Sequence, residues 1–420
     1  MKYDVIIVGG GTAGCAAAYN LALKNLKVLI IEKNTCLGGL MTSGLVTPMM
    51  KISPNAINLD FYNTLLDKLN SYDAQFTYSD GNKGWFNPEL LKIVLDELLT
   101  NLNVDILFNS EVLDLKILNN SVKSIKINNE MLSEYIETKY IIDATGNSEI
   151  CKKLNCEFIN ENNFQPVNLR FIMGGVNVKK LADWLLELDK DRTVTSVTEE
   201  NGQIHLSTAY TWDTNKNWAL RPIFQKAIAD NILKNTDSNY FQIFTVPGMP
   251  DSIAFNAPRL CYSDDIDINS PIHHSKALIE GRKAILRLAN FCKQYIVGFE
   301  NAYISNIANQ LGIRASMRAV GEYVYTYHDI IPGKKFDNSA VISDYPIDVH
   351  SNKQDNSILE SVKQDYNLPI KALISKDYNN LFMIGRNLSA DFKAQGALRI
   401  IPNCFSMGEA VAKYISNLEN

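Results

Sequence analysis

Charged and titratable side chains at a few positions could carry chemistry. Arg314 and Arg318 stand four apart in "LGIRASMRAVGEY". On a helix that spacing puts both on one face. Two guanidinium forks there could clamp a carboxylate; an ion pair of Arg318 with Glu322, four residues on, fits the same residues equally well. Arg399 in "GALRII" could set a positive charge beside a ligand or pair with an acid of the fold. His350 closes "YPIDVH". An imidazole suits acid–base work because it titrates near neutrality, although a histidine placed for packing would look the same. Asp348 and Tyr345 beside it are lesser candidates.

A second kind of chemistry sits at residues 3–20, "YDVIIVGGGTAGCAAAYN". Gly9, Gly11 and Gly14 form G-x-G-x-x-G, with a strand expected before and a helix after. Glu32 ends the next apolar run, 18 residues past Gly14, close to the spacing of a ribose-binding acid. Gly9 allows a tight turn, Gly11 lets backbone approach a pyrophosphate, and Gly14 lets the helix pack on the strand. The helix N-terminus turns free N–H groups toward the phosphates.

These residues need elements to hold them. Residues 3–8 and 26–31 read as buried strands around a helix over 13–24. A helix over 88–101 opens on Pro88. Strands at 104–108, 111–118 and 122–128 follow, the last two a hairpin about Asn119-Asn120. A strand over 139–143 runs into "ATG". From about 165 the pattern changes to alternating stretches, with long helical patterns near 218–234 and 275–296. Past about 335 a polar linker is expected, then "YPIDVH", "NNLFMIGR" and a last helix from near Pro402. The fold class expected is α/β: a Rossmann-like dinucleotide-binding domain from residues 1–165 and 335–420, with an α+β substrate or cap domain inserted at 166–334.

Composition narrows the function. The 420 residues are 46% hydrophobic with a net charge of -5, enough for two cores and without the basic block of a nucleic-acid binder. Seven scattered cysteines with no CxxC argue against disulfides, zinc ribbons and cysteine-ligated clusters. The setting expected is cytoplasmic, with no membrane span. Five histidines without ligand spacing point to no metal. Cys36 precedes its glycine pair and no second cysteine follows, so no redox-active disulfide is expected. Cys15 reads as a small buried hydrophobe.

FAD, rather than NAD, is expected because "LGGLMTSG" follows Glu32 and because "IIDATG" and "LFMIGR…AQGALRIIPNCFSMGEA" look like further walls of a long cofactor site. No second G-x-G-x-x-G with strand context marks a separate nicotinamide domain. With "FNPELLKIVLDELL", "QPVNLRFIMGGV" and "HHSKALIEGRKAI" in order, the chain resembles the FAD-dependent oxidoreductase family of two-dinucleotide-binding-domain flavoproteins. It is distantly similar to fumarate reductase and succinate dehydrogenase flavoprotein subunits.

The resemblance implies roles. Gly9, Gly11, Thr12, Ala13 and Gly14 would hold the pyrophosphate, and Glu32 with neighbouring Lys33 the adenosine ribose. Val112 would meet the adenine through backbone, and Ala144, Thr145 and Gly146 would pack near the adenosine and diphosphate. Gly39, Met41 and Thr42 would follow the ribityl–flavin region. Gly385 and Arg386 would contact phosphate or ribityl, and Gly396, Ala397, Arg399, Ile400 and Ile401 the flavin pyrimidine. Asn147 stands where relatives often carry aspartate. Arg314, Arg318 and His350 become the catalytic candidates. The function implied is hydride transfer between flavin N5 and a small organic substrate, carboxylate-bearing if the arginines clamp it. Alternatives are an electron-transfer subunit with a redox partner protein, or a flavin-dependent tRNA modifier; no nucleic-acid partner is expected.

Overall fold

The computed structural model describes residues 1–128, 135–161, 163–200, 202–211, 217–260, 270–350 and 358–419. Trp212 and Cys261 lie outside the described residues.

The run "KYDVIIV" forms β1 (Lys2–Val8), its inner residues buried on both faces, as a central parallel strand requires. Gly9 stops it at φ +103°, and the alanine-rich helix α1 (Thr12–Ala22) follows. Strand β2 (Val28–Ile31) pairs parallel with β1, and β3 (Asp105–Leu107) pairs parallel with β2. Strands β4 (Val112–Leu118) and β5 (Ser121–Ile127) are the expected hairpin. On the other side of β1 lies β6 (Ile136–Asp143), which pairs with β5 near its start and with Leu381–Met383 near its end. Val8, Ile31, Leu107, Asp143 and Met383 stand level at the carboxyl edge, the edge where open α/β sheets bind ligands.

One face of this sheet is covered by α1, the helix Pro88–Thr100 and the helix Ile401–Glu419. The last packs so closely on α1 that a Cβ at Gly408 would lie 2.3 Å from the Ala13 carbonyl. The helix Pro88–Thr100 is capped by the Asn87 side chain, which accepts from the Glu89 and Leu90 amides at 2.9 and 3.2 Å.

A second sheet is antiparallel. Its order is Ser196–Glu200, Gln203–Thr211, Tyr240–Val246, Met249–Phe255, Phe171–Gly174 and Tyr303–Ile307. It has its own aromatic core, in which Phe224, Phe241, Phe255 and Phe291 meet, and the helix Pro271–Tyr295 packs on it. His273 and His274 begin that helix. A two-strand ribbon, Val167–Asn168 against Arg259–Leu260, adjoins this sheet.

Two expectations change. The stretch past 335 is not all linker: Ser339–Ser343 is a strand paired with Tyr366–Pro369, with Ala340 and Val341 buried in the core. Arg314 and Arg318 are not on a helix. Residues 312–320 run irregularly, with bridges from Gly312 to Asn168 and from Ala319 to Phe158. Tertiary pairing outweighs the local helical pattern there.

Candidate active site

A long cleft opens at the carboxyl edge of the first sheet. Gly9, Gly11, Thr12, Ala13, Glu32, Gly39, Ala144, Thr145 and Gly146 line it, with Gly385 and Arg386 packed beside Ala13 and Gly146, and Arg314, Arg399 and Ile401 line it as well. The adjoining cavity shares Gly9, Glu32 and Thr145 and adds Lys33 and Val112.

The glycines divide by what a Cβ would meet. At Gly14 it would lie 2.1 Å from the Gly9 carbonyl oxygen, and at Gly9 2.5 Å from the Ala144 oxygen. At Gly39 (φ +54°) it would come within 3.0 Å of the Gly11 Cα. Those three are required by the fold. At Gly11 nothing of the protein lies closer than 4.0 Å, and at Gly385 only Ala13 Cβ, at 3.4 Å. Both face open cleft. The start of α1 carries no side-chain cap at Gly11, so its first N–H groups remain for a ligand. The contrast with the Asn87 cap is direct.

Asp143 holds the "ATG" turn in shape. Its carboxylate accepts from the Thr145, Ile150 and Cys151 amides and the Thr145 hydroxyl at 2.7–3.1 Å; burial raises its pKa all the same. The Glu32 carboxylate accepts from the Gly10 amide at 2.8 Å and from Asn34 at 2.8 and 2.7 Å. Lys33 pairs with Glu149 at 3.1 Å. Met41 and Thr42 are internal, and the Thr42 hydroxyl bonds the Leu37 carbonyl at 2.5 Å. Gly396 lies against Asp348 and Val349, and Ala397 and Ile400 are buried nearby. Cys15 is fully buried, its thiol 3.1 Å from the Gly10 carbonyl.

Arginines bring charge to the cleft. The Arg386 guanidinium donates to the Ile313 carbonyl and lies where a Gly146 Cβ would be, 2.6 Å away; burial lowers its pKa to about 10. Arg314 donates to the Pro166 carbonyl at 2.6 Å, and the Gln395 amide holds the Arg314 and Arg386 carbonyls at 3.0 and 3.2 Å. Arg399 donates to the Asp348 carbonyl at 2.9 Å, with its carboxylate 3.6 Å away. Among the described residues the buried Arg399 Nε, Gln165 Nε2 and Gln395 Oε1 have no partner. Buried polar atoms of this kind imply a ligand or water.

The second sheet and its ribbon add two arginines that sequence reasoning missed. Arg170 donates to the Thr47 carbonyl at 2.9 Å and lines the cleft. Arg259 stacks 4.2 Å from the Tyr240 ring centroid and approaches His350 Nδ1 at 3.3 Å. Burial first, then the charges of Arg259, Arg399 and Arg170, lowers the pKa of Arg314 well below the usual guanidinium value, with Asp348 acting the other way. Burial and the same four arginines hold His350 well below the ordinary imidazole value, so it is neutral at pH 7. Arg318 is elsewhere. It donates to the Ala390 and Ser316 carbonyls at 2.8 and 2.9 Å and pairs with Glu161 at 2.5 Å, not with Glu322. The missed signal was the lone "NLRF" arginine after a change of pattern; nothing local marks Arg259.

Residues 4–416 match the family described as FAD dependent oxidoreductase. The chain belongs to that family. It is 31% identical over 156 residues to a thiamine thiazole synthase of Pyrococcus horikoshii, covering 35% of this chain and 58% of that protein. Over 202 residues it is 26% identical to an uncharacterized protein of Methanosarcina barkeri, covering 42% and 49%. The chain thus spans about half the length of these curated relatives. The solved structure of the flavin-dependent brominase Bmp2 gives a TM-score of 0.51 at 12% identity, over 100% of this chain and 79% of that one; at that identity it shows the fold alone. As in its family, the cofactor of this oxidoreductase is FAD. The residues fit it: an uncapped helix start, glycines facing open cleft at 11 and 385, and unpartnered polar atoms beyond. No helix among the described residues is long and apolar enough to cross a membrane.

Proposed function

We propose that this oxidoreductase passes hydride between flavin N5 and a small organic substrate bearing a carboxylate. The substrate would bind where the second sheet meets the cleft, and the division into 1–165 with 335–420 and an inserted 166–334 belongs to the same reading. The observation that supports it is the convergence of Arg170, Arg259, Arg314 and Arg399 on a region where Asp348 is the facing carboxylate. Guanidiniums buried among like charges are costly unless an anion joins them. FAD, when bound, supplies the two-electron chemistry.

In this reading α1 and Gly11 hold the diphosphate, while Thr145 and Gly146 face the adenosine side. Arg314 and Arg170 orient the substrate anion by forked donors. Arg399, beside the start of the helix Ile401–Glu419, sets positive charge at the far wall of the cleft. His350 presents an N–H donor at its Nε2, and the second sheet covers this part of the cleft.

The test is titration of the FAD-loaded protein with mono- and dicarboxylates and with the matching amides, following flavin absorbance. Carboxylates should perturb the band, with an affinity that falls as salt rises. Equal responses to amides, or none to any carboxylate, would reject the anion site.

A further inference from the structure

His350 stood out in the sequence, but nothing there coupled it to a residue 91 positions earlier. The structure brings Arg259 to it. We propose that Arg259 is a positioning residue that fixes His350 as a neutral ring with its proton on Nε2. The ring at the seam then keeps one form across the physiological pH range. The catalytic consequence rests on the proposed function; the state of the ring does not.

The geometry carries the assignment. A guanidinium has five N–H donors and no acceptor. Its approach to His350 Nδ1, at 3.3 Å, therefore makes Nδ1 the acceptor and sends the ring proton to Nε2. Nε2 lies 3.5 Å from the Asp348 carboxylate, which can receive that N–H. Each partner is itself held. Arg259 stacks on Tyr240, whose hydroxyl donates to Gln242 at 3.1 Å, and its backbone pairs with Asn168. Asp348 is met by the Tyr345 hydroxyl at 3.4 Å and by Arg399 at 3.6 Å. The His350 amide donates to Gln165 at 3.1 Å, which fixes the ring's base.

The charge around the ring points the same way. The described groups that act on it are the cations Arg259, Arg314, Arg399 and Arg170, the carboxylate Asp348, and the phenols Tyr240 and Tyr345. A second proton on Nδ1 would turn its contact with Arg259 into two donors facing each other, beside three more positive charges. Burial adds to this, and the pKa of His350 lies well below the usual value.

The consequence is a restricted repertoire. Near neutrality His350 is an N–H donor through Nε2, its Nδ1 lone pair being taken by Arg259, and not an imidazolium acid. That donor would not change as pH falls through the ordinary histidine range.

The experiment is nitrogen-15 NMR on the histidine-labelled, FAD-loaded protein, with His350→Gln to identify the ring. The expected result is a single neutral form, Nδ1 unprotonated, that does not titrate from about pH 5.5 to 8. Arg259→Met should admit the other tautomer and raise the proton affinity of the ring about tenfold, giving kcat a new acidic limb. Arg259→Lys, still a cation and donor, should restore the native pattern. A protonated Nδ1 in the native protein would overturn the proposal even if Arg259→Met failed to fold. So would an Arg259→Met protein with unchanged tautomer and pH behaviour. If the ring behaves as stated while His350→Gln keeps full turnover, the assignment to Arg259 is upheld and the donor role under the proposed function falls.

Discussion

The two ends of the cleft are built by opposite means. The end proposed to hold the phosphates is made of backbone: glycines at 9, 11, 14 and 39, an uncapped helix start, and the buried carboxylate of Asp143 shaping a turn. The seam end is made of long side chains, with arginines from four separate segments meeting Asp348 and His350. The first offers a ligand shape and amide dipoles, which tolerate no added atoms. The second offers charge, which tolerates changes of shape but not of sign.

The sharpest way to break this comparison is Gly14→Ala. Its Cβ would fall 2.1 Å from the Gly9 carbonyl, so either α1 or the turn must shift. We expect a stability loss on the order of 3 kcal/mol, with FAD no longer retained, measured by denaturant unfolding and flavin absorbance. A native-like, flavin-loaded Gly14→Ala protein would show that the phosphate end is more plastic than its backbone implies.

Next in size are Arg314→Met and Arg318→Met, which test whether the seam is a matter of charge in place. Arg318→Met breaks the Glu161 pair and two carbonyl bonds and should cost about 2–3 kcal/mol of stability, leaving carboxylate affinity unchanged. Arg314→Met should weaken carboxylate binding about a hundredfold, roughly 2.7 kcal/mol, with FAD retained. Interchanged outcomes would return the clamp to the pair that sequence spacing suggests.

The smallest expected effect is the most selective. Gly11→Ala places a methyl in open cleft, with no protein atom nearer than 4.0 Å. Stability should stay within about 0.5 kcal/mol while FAD affinity drops about tenfold, read by equilibrium dialysis. Loss of stability with FAD affinity intact would mean that Gly11, like Gly14, serves the fold.

The same contrast explains what the sequence disclosed. The phosphate end was legible because its physics is contiguous: strand, turn, helix and the acid at Glu32 fall within one short βαβ stretch. Even so, spacing did not separate Gly11 from Gly14, whose roles differ by what surrounds them. Nor did it show Glu32 bonded to the Gly10 amide. The seam was legible only in part. Arg314, Arg399 and His350 stood out in the sequence; Arg170 and Arg259 did not, because tertiary pairing of distant segments brings them together. Arg318 was misjudged because a four-residue spacing has meaning only on a helix, and that stretch is irregular.

The contact at Gly408 has a consequence for the order in which the molecule is made. Helix α1 leans on residues near 408 with no room for a side chain between, and Arg399 and Ile401 supply a wall of the cleft. A ribosome releases the residues that brace the glycine turn nearly four hundred positions after the turn itself. Until they emerge, α1 lacks this brace and the cleft lacks one wall. A ribosome stalled between the two stretches would hold a chain with the motif and without the wall that completes the cleft.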